Sequence, residues 1–380
     1  MTAPNKEVRR PRGRWIRKLL LLGVSCAVAL ALTEAALWIF WPVRYHEWLT
    51  YVADGRIRAR AEPGQVIENK VGAVIRINKL GFRGPEYAWQ PAPGTLRILA
   101  FGGSSTFCFE NSSEAATWPA RLETMLADRL KMPVEVVNLG MPGFDGTQSK
   151  ANYMFLGRDL NPHVCMQYDG WNDMKWFRLL DQAPQPFTAW VPNKPWWQKL
   201  ARATQIGRYA RNAAFRYQGR KLQMALVARD KLNPDDDKPL GPAGFSWARH
   251  NYDDFARLVR SDGRLPVLIS QASLLAPSSR GKFDFEIADG LSSMYMSFPV
   301  FWEAFQKLRA IVKETAGAHD AIFIDAAGQI PPDKEHFFDD VHFTDHGAEV
   351  MARLIADALL ADARFMRVVE TVRTGATSRP

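Results

Sequence analysis

Cysteine is scarce: three residues in 380, at positions 26, 108 and 165. That count excludes a disulfide framework. Cys108 and Cys165 have the option of pairing in an oxidising compartment, but buried free thiols are the expected state. No Cys/His cluster has metal-ligand spacing, so no metal is expected. No cofactor motif stands out either, and the only phosphate-loop-like turn lacks the Gly-Lys-Ser/Thr sequel such loops need. Internal repeats are absent. Basic charge is also scarce once its location is noted. The chain carries a net +9, but Lys6, Arg9, Arg10, Arg12, Arg14, Arg17 and Lys18 stand against Glu7 alone within residues 1–18. That segment holds +6, and the +3 left for the rest is too little to argue for a nucleic-acid partner.

Long hydrophobic runs number one. Leu19 to Trp41 is apolar for 23 residues apart from Ser25, Thr33 and Glu34, enough for a helix to cross a hydrocarbon core of roughly 30 Å. A cleavable signal would be shorter and carry a small-residue cleavage site, so a retained anchor is the expectation. Cys26 lies inside the run without a lipobox and makes a poor lipoprotein cysteine. The basic cluster places residues 1–18 in the cytoplasm and the rest in the periplasm or another extracytoplasmic space. Trp38 and Trp41 suit the far interface. Glu34 is at odds with the span; near its outer end it can snorkel or pair.

What is abundant is core. Hydrophobic residues make up 47% and aromatics 12%, with 13 Trp, which marks a folded protein. Residues 42–95 read as a stem with Gly and Pro punctuation. From residue 96 to 365 short apolar runs alternate with helical patterns. Strands are expected at Leu96–Phe101, Val134–Val137, Val164–Tyr168, Leu265–Ser270 and Ala321–Ile324. Helices are expected at Trp118–Lys131, Thr147–Arg158, Tyr252–Arg260, Pro299–Thr315 and Thr344–Leu360. Continuous apolar strands between helices predict an α/β fold with a parallel sheet covered on both faces. Residues 366–380 read as a tail. An insertion, 175–249, breaks the alternation with Trp190, Trp196, Trp197 and a basic stretch including Arg208. It fits a lid, a glycan platform or a face on anionic lipid, and equally a solvated helix with ordinary core tryptophans.

The chemistry-bearing residues follow the strands. The first strand runs into Gly102-Gly103-Ser104-Ser105, a tight turn that would expose a serine hydroxyl at the sheet rim. The second runs into Asn138-Leu139-Gly140-Met141-Pro142-Gly143, and the third into Asp169-Gly170-Trp171-Asn172-Asp173. Near the C-terminus comes Asp339-Asp340-Val341-His342-Phe343-Thr344, with Thr344 a good N-cap for the last helix. A serine at its free pKa is a weak nucleophile and needs a base, and His342 can take its proton and return it. Asp339 can orient the imidazole. Ser105 competes as nucleophile, His346 as base and Asp340 as orienting group, each with less support from spacing. Asp173 reads as a structural partner of its loop. Asn111-Ser112-Ser113 matches a glycosylation sequon, a pattern frequent by chance.

Serine, glycine, asparagine and Asp-x-x-His in that order, over residues 96–365, resemble the SGNH (GDSL-like) hydrolases. The run Ile77-Asn78-Lys79-Leu80-Gly81-Phe82-Arg83-Gly84 also resembles the lead-in of membrane-tethered bacterial members. The resemblance implies a three-layer sandwich around a five-stranded, flavodoxin-like parallel sheet. It implies Ser104, Asp339 and His342 as catalytic residues. It assigns the oxyanion hole to the Ser104 amide, the Gly143 amide and the Asn172 side chain, and Trp171 would line the substrate site. The usual Gly-Asp-Ser-Leu reads Gly102-Gly103-Ser104-Ser105 here; the missing aspartate is no triad member. The expected activity is a serine ester hydrolase acting on an acylated glycan or a lipid ester. Two alternatives remain: an O-acyltransferase using the same triad, and an inactive glycan-binding protein.

Overall fold

The computed structural model describes residues 12–42, 49, 51–69, 71–182, 204–210, 213, 237–284, 290–291, 294 and 296–375. They fall into two compact units, residues 1–46 with 192–222, and residues 47–191 with 223–380.

The larger unit is built on the predicted parallel sheet. Its strands are β5 (Leu96–Gly102), β6 (Val134–Asn138), β7 (Val164–Tyr168), β8 (Leu265–Ile269) and β9 (Ile322–Ile324), in the order β6-β5-β7-β8-β9. Every residue of β5, β7 and β8 is buried, as expected of strands covered on both faces. One face carries α3 (Trp118–Leu130), α8 (Asp345–Ala361) and α9 (Ala363–Thr374); the other carries α4 (Gly146–Phe155), α6 (Pro242–Ser261) and α7 (Phe298–Ala318), with α5 (Trp171–Gln182) against α6. This is the three-layer, flavodoxin-like order that the family resemblance implied. After β5 the chain crosses to β6 at the edge and returns to β7 on the other side. The crevice between the carboxyl ends of β5 and β7 is therefore the switch point where such sheets bind ligands.

Local signals account for the helix starts. Thr117 caps α3, accepting from the Ala120 amide at 3.4 Å, with a proline in the first turn. Asp145 and Gln148 form a reciprocal capping box on α4, and Thr344 caps α8 through the Gly347 amide at 3.0 Å. Two of the longer described helices, α5 and α9, were not read from the sequence. α5 begins within the loop motif at Trp171, and α9 occupies most of the supposed tail, burying Phe365, Val369 and Val372. Helix α6 also begins ten residues before the expected Tyr252.

Residues 51–95 are more than a stem. β1 (Tyr51–Asp54) pairs antiparallel with β2 (Arg58–Ala61), and β3 (Val66–Glu68) with β4 (Val74–Arg76). Ile67, Ile75, Ile77 and Phe82 join the main core. Arg97, fully buried in β5, donates to the carbonyls of Ala88, Trp89 and Leu160 and pairs with Glu135 at 2.6 Å.

In the smaller unit, α1 (Arg12–Phe40) contains a 26-residue stretch, Trp15–Phe40, long and apolar enough to cross a membrane. Residues 205–210 form a helical turn whose Gln205 and Ile206 amides donate to the Glu34 carboxylate at 2.5 and 2.9 Å. Trp38 Nε1 donates to the same group at 3.0 Å, the Arg208 guanidinium lies 5.4 Å from the Trp38 ring, and the Tyr209 hydroxyl donates to the Trp41 carbonyl. Glu34 thus has four partners or near neighbours from its own unit. Of the insertion, Trp190, Trp196, Trp197 and most of the basic stretch lie outside the described residues.

Candidate active site

Ser104 opens α2 (Ser104–Phe107), a single turn directly after β5. Gly102 can hold this corner because its φ is +156°, and a Cβ there would meet the Tyr168 carbonyl at 2.3 Å. A Cβ on Gly103 would meet Asn172 Nδ2 at 2.8 Å. The second glycine, standing where the usual motif has aspartate, thus lets the two strand-end loops close on one another.

The Ser104 hydroxyl lies 2.7 Å from His342 Nε2. On the ring's other side Nδ1 donates to Asp339, 2.8 Å from Oδ2 and 2.9 Å from Oδ1. Asp339 Oδ1 also accepts from the amides of Val341 and His342 at 3.0 and 2.9 Å. That turn fixes the three-residue spacing read from the sequence. The alternatives have other partners. Ser105 is buried and donates to the Val341 carbonyl, tying the two loops together. His346 lies beside His336 and Glu335. It is Asp339, not Asp340, that meets the imidazole.

Burial alone would push the His342 imidazole down. The carboxylates of Asp339, Glu110 and Asp340 prevail and hold it up at about 9. Burial works to raise Asp339, yet the charge of His342 and its ring and backbone hydrogen bonds keep that carboxyl far below its usual range.

Gly143 sits at φ +85°, with open space where a side chain would point. Both carbonyls flanking it are held: Tyr51 donates to Pro142 at 3.2 Å and Asn172 Nδ2 to Phe144 at 2.8 Å. The other N–H of the Asn172 amide is thereby oriented without being consumed. Trp171, next in the chain, packs its ring edge-to-face on Phe301 at 5.8 Å, a core contact. Beneath this rim Asp145, Asp169 and Asp173 are buried together. Asp145 accepts from Trp176 Nε1, Asp169 from Gln167 Nε2 and Asp173 from the Gly146 amide. Burial pushes Asp169 up to about 7, and burial with the nearby charges of Asp169 and Asp145 raises Asp173 well above the carboxylate range.

Sequence reading missed four residues around the site. Glu110 is buried near His342. Asn69 and Arg83 brace the loop after the Ser104 turn, through the carbonyls of Phe109 and Asn111, and of Phe107, Cys108 and Ser113, respectively. Tyr51 supports the Gly143 turn. Only Arg83 carried a signal, as part of the Gly-Phe-Arg-Gly run. Glu110, Asp339 and His342 bring one ligand atom each within 4.8 Å of one another, a spacing open to a small cation, although both ring nitrogens already have protein partners. Cys108 and Cys165 are free, buried thiols, and burial pushes Cys108 up to about 12. Asn111 is buried and donates to Asp345 at 3.0 Å, so the sequon is inaccessible as folded.

The sequence profile of the GDSL-like lipase/acylhydrolase family matches residues 100–350. The chain belongs to that family. It is accordingly an esterase of the SGNH/GDSL type. Among solved structures it is similar to a lipase/acylhydrolase from Enterococcus faecalis, with 14% identity and a TM-score of 0.40 over 70% of this chain and 95% of that one. It is also similar to an acetyl xylan esterase from Geobacillus stearothermophilus, with 13% identity and a TM-score of 0.38 over 72% and 94% of the two chains. A GDSL-like lipase from Bacteroides thetaiotaomicron matches at 14% identity and a TM-score of 0.37, over 69% and 86%. No curated protein matches the sequence.

Proposed function

We propose that this chain is a membrane-anchored, extracytoplasmic serine esterase that works through an acyl-Ser104 intermediate. The observation that carries this reading is the chain Asp339–His342–Ser104, hydrogen-bonded at 2.8 and 2.7 Å. His342 Nε2 takes the hydroxyl proton as Oγ bonds to the ester carbonyl carbon, and the carbonyl electrons move onto oxygen. The Ser104 and Gly143 amides and Asn172 Nδ2 receive that oxyanion, each such donor contributing about 10²–10³ in rate. The intermediate collapses, the C–O bond to the alcohol breaks, and His342 returns the proton to the leaving oxygen. Water then repeats the sequence and frees the acid. Trp171 would supply a wall of the acyl site through the edge its core contact leaves. No metal or other cofactor enters any step.

The α1 span supports an anchor, and the basic residues before it support a cytoplasmic N-terminus. A small acyl ester on a cell-surface glycan, or a lipid ester, is the substrate class. The inactive-triad alternative would have gained from a Ser104 and His342 too far apart to hydrogen-bond, and the 2.7 Å contact withholds that support.

Full-length protein in detergent should cleave short p-nitrophenyl esters, and Ser104→Ala should lower kcat by at least about 10³. Cleavage that survives the substitution would refute the nucleophile assignment. Turnover of an acyl donor that rises on adding an acceptor sugar would identify an O-acyltransferase instead of a hydrolase.

A further inference from the structure

Two carboxylates besides Asp340 face the His342 ring, and the mechanism above uses one. Glu110 Oε1 lies 3.9 Å from His342 Nδ1, too far for a hydrogen bond and close enough for charge to act. The side chain is 6% exposed, so solvent screens it little.

Its position is built from both sides. Asn69 Nδ2 donates to the carbonyls of Phe109 and Asn111, the residues bracketing Glu110, at 2.7 and 2.9 Å. Arg83 holds the carbonyls of Phe107 and Cys108 just before it. Just after it, the Asn111 side chain and the Ser112 amide both donate to Asp345 at 3.0 Å, in the first turn of α8 and three residues past His342. The loop bearing Glu110 is thus fastened to the segment bearing the histidine. Burying a carboxylate is costly unless a positive charge answers it, and His342 supplies one each time it accepts a proton.

We propose that Glu110 is a positioning residue of the active site, sharing with Asp339 the stabilisation of the positive charge that His342 gains from the Ser104 proton. This rests on the acyl-serine reading. Asp339 fixes the ring's orientation through hydrogen bonds, and Glu110 adds charge without competing for Nδ1–H. Among the described residues, the other charged groups facing the ring are Asp339 and Asp340 on its own loop, with Lys175 of α5 acting on Asp340.

Glu110 and Asp339 together hold the imidazole protonated into the alkaline range, against the effect of burial. Removing the Glu110 charge therefore makes the neutral base available at lower pH, but leaves the imidazolium of the transition state less supported. The test uses full-length protein in detergent: wild type, Glu110→Gln, Glu110→Asp and Asp339→Asn. Two readouts are followed from pH 5.5 to 10, the low-field Nδ1–H proton signal of His342 and the rate of Ser104 phosphonylation by a fluorophosphonate. Glu110→Gln should lower the His342 titration and the acid limb of labelling by about one pH unit, and should reduce the alkaline plateau several-fold. Glu110→Asp should recover part of both. Asp339→Asn, which leaves Glu110 in place, should still titrate above a free imidazole. A folded Glu110→Gln whose titration and limb do not move would overturn the proposal, as would an Asp339→Asn ring that titrates at or below a free imidazole. Wild type that is not phosphonylated at Ser104 would instead refute the acyl-serine reading itself.

Discussion

Asp173 illustrates how one proton can belong to the fold. Its carboxyl is completely buried beside Asp169, so the folded protein keeps it neutral at pH values where the unfolded chain has it ionised. A carboxyl raised in this way contributes its stability below the unfolded value near 4, and loses it as pH rises toward the folded value. Asp173→Asn keeps the shape without the proton. Its unfolding free energy should match wild type near pH 4 and exceed it increasingly at pH 6 and 8, by about 1.4 kcal/mol for each unit the native carboxyl is raised. An offset that stays constant with pH would show that ionisation is not the cause. At this scale the sequence was most legible where a side chain does something a strand end makes obvious. Ser104, Gly143, Asn172, Asp339 and His342 all flank β-strands or a helix cap, and each stands in a recognisable local pattern. Glu110 stands in none, since its meaning lies in a contact with a residue more than two hundred positions away.

Among the elements, the segment before the sheet carries the least expected role. Arg83, 1% exposed, donates to three carbonyls of the turn that follows Ser104 and pairs with Glu114 at 2.8 Å. Arg83→Ala should cost about 3 kcal/mol in urea denaturation, because buried carbonyls and a carboxylate lose their donor at once. Arg83→Lys should recover only part, since one ammonium cannot serve three carbonyls and a carboxylate arranged around a planar fork. Equal stability of the alanine variant and wild type would remove Arg83 from the support of the Ser104 turn. The five sheet strands were readable to within a residue at each end because they are continuous apolar runs between breakers. The lead-in strands were not, being three or four residues long and alternating only once. α9 escaped notice because only Asp362 separates it from α8, with no Gly or Pro to mark a new start.

For the chain as a whole, the Glu34 interactions show that the insertion returns to the N-terminal helix. The carboxylate accepts from the amides at the start of residues 205–210, the usual way to satisfy donors at a helix start. Glu34→Ala should release that turn, so limited trypsin treatment of full-length protein in detergent should cut at Arg208 several-fold faster than in wild type. An unchanged cleavage rate would show that Glu34 does not hold it. The sequence allowed that Glu34 pairs but named no partner, because an acid in an apolar run reads as a defect until its partner is seen.

The hydrogen bond between Ser104 and His342 joins residues 238 positions apart. A ribosome adding roughly 5–20 residues per second delivers Ser104 tens of seconds before His342, the base of the proposed mechanism. Throughout that interval Ser104 is an ordinary alcohol, inert toward any ester it meets. A message truncated anywhere short of position 342 therefore yields a product that is silent rather than half active. Synthesis itself acts as the safety catch, and it is not released before the segment bearing His342 arrives.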